Sequence, residues 1–297
     1  MARKALFSVL MFVCVMFLSV CCWAGADRDR PQPFASALSQ DGVPIAYAVY
    51  GPRTDVALVF IHGWSCDSRY WHEQVPYFSK KYRTVTLDLA GHGNSGFGRK
   101  VYTTEAFGQD VAAVLRQLDV KKAVLIGHSM GGEIIIYAAK IAPERVIGLV
   151  AVDTLEDVGM VYPDEVKKSI YDPIAADFVA NAQAFVRSMF PAGADKELVD
   201  TVARDVSSAL PEVALSSMQE YFKVSDPELI KGLAVPLKSV NADLWPTNVE
   251  GNKKLLPSYE MALMKGRGHF LMLESPDEFN RLLDDMVRRI LRETKKK

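Results

Sequence analysis

The run from Ala123 to Ala139 constrains this chain more than any other stretch: Ala-Val-Leu-Ile, then Gly127-His128-Ser129-Met130-Gly131-Gly132, then Glu-Ile-Ile-Ile-Tyr-Ala-Ala. A short apolar, β-branched run breaks at a glycine, presents one serine, passes two more glycines and continues as a helix. The pattern is a strand, a sharp turn and a helix, with Gly-x-Ser-x-Gly at the turn. A serine at the tip of such an elbow sits in a strained backbone conformation. Side chains two residues before and two after would collide with the neighbouring strand and helix, and Gly127 and Gly131 relieve that crowding. The elbow leaves an exposed Oγ on Ser129 and a free backbone N–H on Met130 at a helix N-terminus, where an oxyanion can be held. A glycine-rich turn with an incidental serine would share the five-residue pattern; the strand before it and the helix after it favour the nucleophile.

The first residues read differently. Arg3 and Lys4 precede an apolar stretch from Ala5 to Trp23, and Ala24-Gly25-Ala26 offers the small-x-small pattern of a signal-peptidase site. Basic start, apolar middle and small-residue exit describe an export signal over residues 1–26, with Asp27 as the mature N-terminus. A retained anchor is the competing reading, because the apolar run approaches bilayer-spanning length. Leu18-Ser19-Val20-Cys21 also resembles a lipoprotein cleavage site, although valine fits poorly before the cysteine. The expectation is cleaved export to the periplasm or medium, with no stable membrane insertion afterwards.

Of the four cysteines, Cys14, Cys21 and Cys22 lie in or beside that signal, which leaves Cys66 alone in the mature chain. An intramolecular disulfide or a cysteine-based metal cluster is then excluded. Basic and acidic residues are nearly balanced, 35 against 36, which argues against a nucleic-acid partner.

Beyond the signal, patterns alternate. Phe34 to Tyr50, broken at Asp41-Gly42, reads as an antiparallel hairpin. Val56 to Ile61 is an apolar run too short for a helix and reads as a buried strand ending at His62-Gly63-Trp64. Asp67 to Phe78 reads as helical, Thr84 to Leu89 as a strand, and Thr104 to Leu118 as a helix with Phe107, Val111, Val114, Leu115 and Leu118 on one face. After the elbow helix comes a strand from Val146 to Val152. Strands alternating with helices build a mostly parallel sheet covered on both faces, an α/β fold. From Thr154 to about residue 234 the alternation lapses into a helical composition, read as an inserted helical lid whose aromatics and methionines form its core. The sheet pattern resumes with strands Pro236 to Asn241 and Tyr259 to Met264. Residues 27–153 and 235–297 are thus the expected core. Ser275-Pro276-Asp277-Glu278 reads as a capped start of the last helix.

A serine hydroxyl needs a base within hydrogen-bond reach, itself oriented by a third group. Of the five histidines, only His269 follows the serine, in a glycine-flanked loop just beyond a strand, where sites of open parallel sheets form. His62 and His92 precede the elbow in glycine-rich turns and are read as shaping those turns. His72 and His128 carry no independent signal.

Taken together, His62-Gly63-Trp64 after a strand, Asp88-Leu-Ala-Gly91-His92-Gly93-Asn-Ser95, the elbow and Gly268-His269 make the chain resemble the α/β-hydrolase fold family over Phe34 to Arg292. The resemblance implies a mostly parallel sheet flanked by helices with an inserted lid. It also implies an oxyanion hole made by the N–H groups of Trp64 and Met130, and a structural role for the Asp88 to Ser95 turn. Serine at 129 argues against the aspartate-nucleophile members. The expected activity is hydrolysis of an ester or related small acyl substrate through an acyl-enzyme, with no metal or organic cofactor. Carbon–carbon bond hydrolysis, cofactor-free perhydrolysis and simple ligand binding are the alternatives.

Two residues compete for the acid of a Ser–Asp–His triad. Asp243 follows the strand Pro236 to Asn241 and Asp153 follows the strand Val146 to Val152. The resemblance places the acid more often after the later strand, and Trp245-Pro246 suggests a stiff turn there. Asp153 is explicable as a helix cap or turn former. The expected triad is Ser129, Asp243 and His269, although the family's usual glycine before the acid is absent from Asn241-Ala242-Asp243.

The export reading has a direct check: the intact mass of the exported protein is expected to begin at Asp27. A mature form retaining Met1, or carrying a lipid on Cys21 or Cys22, would reject it.

Overall fold

The computed structural model describes residues 34–295; the segment read as an export signal lies outside the described residues. Strands β1 (Ala35–Leu38) and β2 (Pro44–Tyr50) form the hairpin, turning at Gly42 with φ +83°. After β3 (Val56–Ile61) come a 3-10 turn (Ser68–Trp71), the single helical turn α1 (Val75–Phe78) and β4 (Arg83–Leu87). Then follow α2 (Thr104–Gln117), β5 (Lys122–His128), α3 (Gly131–Ile141) and β6 (Val146–Val152). Helices α4 (Asp164–Ala176), α5 (Phe178–Ser188), α6 (Lys196–Val206), α7 (Pro211–Tyr221) and α8 (Asp226–Leu229) fill the stretch before β7 (Leu237–Ala242). The chain closes with α9 (Val249–Leu255), β8 (Glu260–Met264), α10 (Leu271–Glu274) and α11 (Pro276–Thr294).

The strands form one sheet in the order β1-β2-β4-β3-β5-β6-β7-β8. Pairings from β4 to β8 are parallel, and β2 runs antiparallel to both β1 and β4. Both faces are covered. Along β5, Ala123 and Leu125 join one apolar core, with α2 and α3, while Val124 and Ile126 join the other, with α11. Period-two alternation with both faces buried makes β5 a continuous apolar run. Its central place puts the end of β5, and so Ser129, midway along the carboxyl edge of the sheet.

Local differences from the sequence reading have physical causes. The stretch 67–78 is not one helix: Asp67 caps only the 3-10 turn, and Pro76 belongs to a separate start at α1. Between them, the buried Gln74 side chain donates to Met272 O and to Asn280 Oδ1 instead of facing solvent. The last helix begins at Pro276 as expected, but the Ser275 side chain makes no cap bond.

Helices α4, α5 and α7 make a small core of their own from Ile174, Phe178, Ala182, Ala214 and Met218. Below it, α8 meets α3 through two acids. Glu133, only 4% exposed, faces Asp226, and one oxygen of each has no hydrogen-bond partner among the described residues. Burial, then the neighbouring Asp226 charge, pushes Glu133 well above its usual range, and burial raises Asp226 to about 6. Carboxyls raised in the folded state contribute stability at low pH and lose it as pH climbs through their folded values. Asp226→Asn is therefore expected to raise Tm by a few degrees at pH 8 and to change it little at pH 4.5 in paired melts. Equal shifts at both pH values would reject the burial account.

Candidate active site

Ser129 follows β5 with φ +54°, a left-handed conformation that disfavours a non-glycine residue by about 1–3 kcal/mol. Its N–H donates to Val152 O at 3.1 Å, and its carbonyl accepts from Gly132 N at 2.8 Å. A Cβ on Gly127 would strike the Gly131 backbone, and one on Gly131 would lie 2.9 Å from Ile61 O on β3. The glycines thus do the expected work: they let α3 start against β5 and β3 without a gap.

His269 lies in the loop after β8, pinned from three sides. Its N–H donates to Met189 O at 2.9 Å, and its carbonyl accepts from His128 Nε2 at 2.9 Å. Its Nδ1 donates to Asp153 Oδ2 at 2.7 Å. The second oxygen of Asp153 accepts from Ala242 N at 2.7 Å, so the carboxylate is buried and fully engaged. With Nδ1 bearing the proton, Nε2 of His269 carries the lone pair.

The acid beside His269 is therefore Asp153, and the expectation of Asp243 is corrected. Asp243 is exposed, and its Oδ1 accepts from Gly266 N at 2.7 Å, capping the turn after β8. Asp153 directly follows β6, the neighbour of both β5 and β7, and takes φ +46°. That left-handed residue turns its carboxylate across β7 toward His269. An aspartate immediately after the buried strand next to the elbow strand was the available signal.

The His62-Gly63-Trp64 segment follows β3. His62 Nδ1 donates to Gly63 O at 2.8 Å and Nε2 accepts from Leu89 N at 3.0 Å, which fixes a neutral ring. His92 Nδ1 donates to Ala90 O at 3.0 Å, and burial lowers its pKa to about 3. Both histidines shape turns, as read from the sequence. Asp88 holds the next loop: Oδ1 accepts from Ser68 N, and Oδ2 from Asn94 N, each at 2.8 Å.

The backbone N–H groups of Trp64 and Met130 have no hydrogen-bond acceptor among the described residues, and both residues line the cavity that holds Ser129. The Trp64 indole is engaged separately, Nε1 donating to Ala214 O on α7 at 2.8 Å. His128, the residue before the serine, was not singled out by sequence. Its ring lies 4.6 Å from that of His269, and burial, then the His269 charge, holds it well below its usual pKa. Cys66 also lines the cavity, but burial pushes its thiol up, and a protonated thiol is a poor nucleophile.

The cavity has a volume of about 690 Å³, and its walls include Trp64, Phe185, Met189, Met218, Tyr221 and Phe222. Met218, Phe185 and Phe222 thus serve both the small helical core and the cavity wall, Phe178 the core alone, and Tyr221 and Met189 the wall. Among the described residues no group of three His, Cys, Asp or Glu side chains is arranged to hold a metal ion, and no helix is long and apolar enough to cross a membrane.

The sequence matches the family model for the alpha/beta hydrolase fold over residues 56–235, and the chain belongs to that family. It is 35% identical over 152 residues to a non-heme chloroperoxidase of Streptomyces lividans, covering 50% of this chain and 55% of that protein. It is 32% identical over 160 residues to a bifunctional esterase/perhydrolase of Acinetobacter calcoaceticus, covering 52% and 58%. The chain thus spans little more than half the length of these curated relatives. Among solved structures, the esterase RhEst1 from Rhodococcus sp. ECU1013 superimposes with a TM-score of 0.70 at 25% identity, covering 87% of this chain and 100% of that one.

The two aspartates can be separated by substitution. Asp153→Asn is expected to lower kcat on an acyl substrate by about three to four orders of magnitude, while Asp243→Asn stays within a few-fold of the parent. Steady-state kinetics of both variants, with circular dichroism as the folding control, decide it; the reverse order would restore Asp243.

Proposed function

We propose that this chain is a serine hydrolase that cleaves an ester or related small acyl substrate through an acyl-enzyme on Ser129. The observation that carries the reading is the His269 Nδ1 bond to the buried Asp153, which leaves Nε2 as a base in the cavity that Ser129 enters. Ser129 Oγ attacks the acyl carbon as His269 takes its proton, and the Trp64 and Met130 amides receive the oxyanion. His269 returns that proton to the leaving alcohol. Water then attacks the acyl-enzyme, giving its proton to His269, and the acid departs as Ser129 is reprotonated. Asp153 holds the imidazole tautomer and stabilises the imidazolium.

Perhydrolysis is the second reading, favoured by the 32% identity to an esterase/perhydrolase. It differs only in the second step, where hydrogen peroxide replaces water and a peracid leaves.

An organophosphonate probe is expected to label the protein once, at Ser129, and Ser129→Ala is expected to lose both labelling and several orders of magnitude in turnover. Peptide mass mapping reads the site. Labelling that survives the substitution would reject the proposal.

A further inference from the structure

The turn that delivers Asp153 also delivers a second carboxyl. Leu155, two residues on, is again left-handed, with φ +58°, and is 4% exposed. A buried leucine in that conformation persists only where its surroundings hold it. Here Asn252 Nδ2 donates to Leu155 O at 3.0 Å, and Asn248 N donates to Glu156 O at 2.8 Å. On the other side, Thr154 fills the space above Gly132, where a Cβ would strike its side chain. The main chain of residues 153–156 is thus clamped between α3 and α9 with its N-cap Asn248.

Glu156 lines the cavity. Its neighbours there are already engaged: Asp153 holds His269, while Asp157 accepts from Asn248 Nδ2 at 2.9 Å and from Gly159 N at 3.0 Å. The half-buried Glu156 side chain has no ion-pair partner and no hydrogen bond to another residue among the described residues; its own backbone N–H is the hydrogen-bonding group beside it. Around it the charges are mostly negative: Asp153, Asp157 and Asp226 act on it or its neighbours, with Glu133 behind Asp226. The permanent cation near this group is Lys167, on α4, which acts on Glu133, and the His269 ring lies on the Asp153 side. Tyr162, at the entrance to α4, and Tyr221, on α7, line the same cavity and feel the Glu156 charge.

Desolvating a carboxyl without a counter-charge is unfavourable, and a ligand can supply the charge that the protein does not. A carboxylate beside tyrosine rings suits a cation, which gains the ion pair and a favourable contact with an aromatic ring. It also disfavours an anionic ligand, by like-charge repulsion at short range. We propose that Glu156 determines specificity, and that the preferred esters carry an ammonium group on the moiety lying along Glu156, Tyr162 and Tyr221. This rests on the serine-hydrolase reading of the same cavity. Burial, then the Asp153 charge, raises Glu156 to about 7. Selection for a cation is therefore weak below that pH, where the carboxyl is neutral, and strong above it, where the carboxyl is charged.

The test uses esters bearing a trimethylammonium group on the acyl or the alcohol side, each beside an isosteric tert-butyl ester. The quaternary charge is fixed, and any effect of pH on the chemical step common to both partners cancels in the ratio of their kcat/KM values. At pH 8.5 the ratio is expected to exceed tenfold on one side, and at pH 5.5 to fall toward one. In Glu156→Gln it is expected to stay near one at both pH values, while Glu156→Asp retains part of it. A parent ratio near one at pH 8.5, or a ratio unchanged in Glu156→Gln, overturns the proposal. If neither ester of a pair turns over, the hydrolase reading fails. Calorimetric titration with butyltrimethylammonium then decides this one: binding at pH 8.5 that is lost in Glu156→Gln supports it, and no binding overturns it.

Discussion

The left-handed backbone of Ser129 is the constraint on which the rest of the site depends. At φ +54° the residue stands off both strand and helix, so its hydroxyl enters the cavity and the amide of Met130 is left unengaged. Locally only the Gly132 N–H bond to the Ser129 carbonyl supports that geometry. It persists because β5 is hydrogen-bonded on both sides, to β3 and β6, and because glycines at 127 and 131 allow close approach on either side. The penalty of about 1–3 kcal/mol is offset by the packing of the whole sheet.

The same device recurs around the cavity. Five non-glycine residues have positive φ among the described residues: Ser65, Ser129, Asp153, Leu155 and Asp119. All but Asp119 follow β3, β5 or β6 at the carboxyl edge. Strain of this kind concentrates where side chains must point somewhere that regular structure would not send them. Histidines support the arrangement as neutral, desolvated rings. His62 is bonded through both nitrogens, and His128 bonds the carbonyl of His269 while leaving its own Nδ1 unpartnered.

Much of this was legible in the residues. The strands Val56–Ile61 and Val146–Val152 and the start of α2 follow from apolar periodicity, and the elbow from its glycines and its serine. His269 follows from chain order. The acid does not, because Asp153 and Asp243 both end strands at one edge of the sheet. Deciding between them requires the φ of Asp153 and the position of Gly266, whose N–H engages Asp243 instead. Strand order was equally hidden: β4 lies between β2 and β3, a matter of pairing between residues distant in sequence. The segment 67–78 misled because its helical composition is divided by a buried Gln74 with partners some 200 residues away.

Trp64 joins two parts of the molecule that are usually considered separately. Its backbone N–H has no acceptor among the described residues, its indole donates to Ala214 on α7, and its ring meets Phe178 and Phe185 of α5 edge-on, with centroids 6.3 and 6.2 Å away. The roof over the sheet is thus fastened to the residue whose amide receives the oxyanion in the proposed mechanism. The roof is not an interchangeable part in this design. A graft replacing α5 or α7 would remove the Trp64 buttress along with the old pocket shape, so the residue at position 64 would have to be redesigned with it.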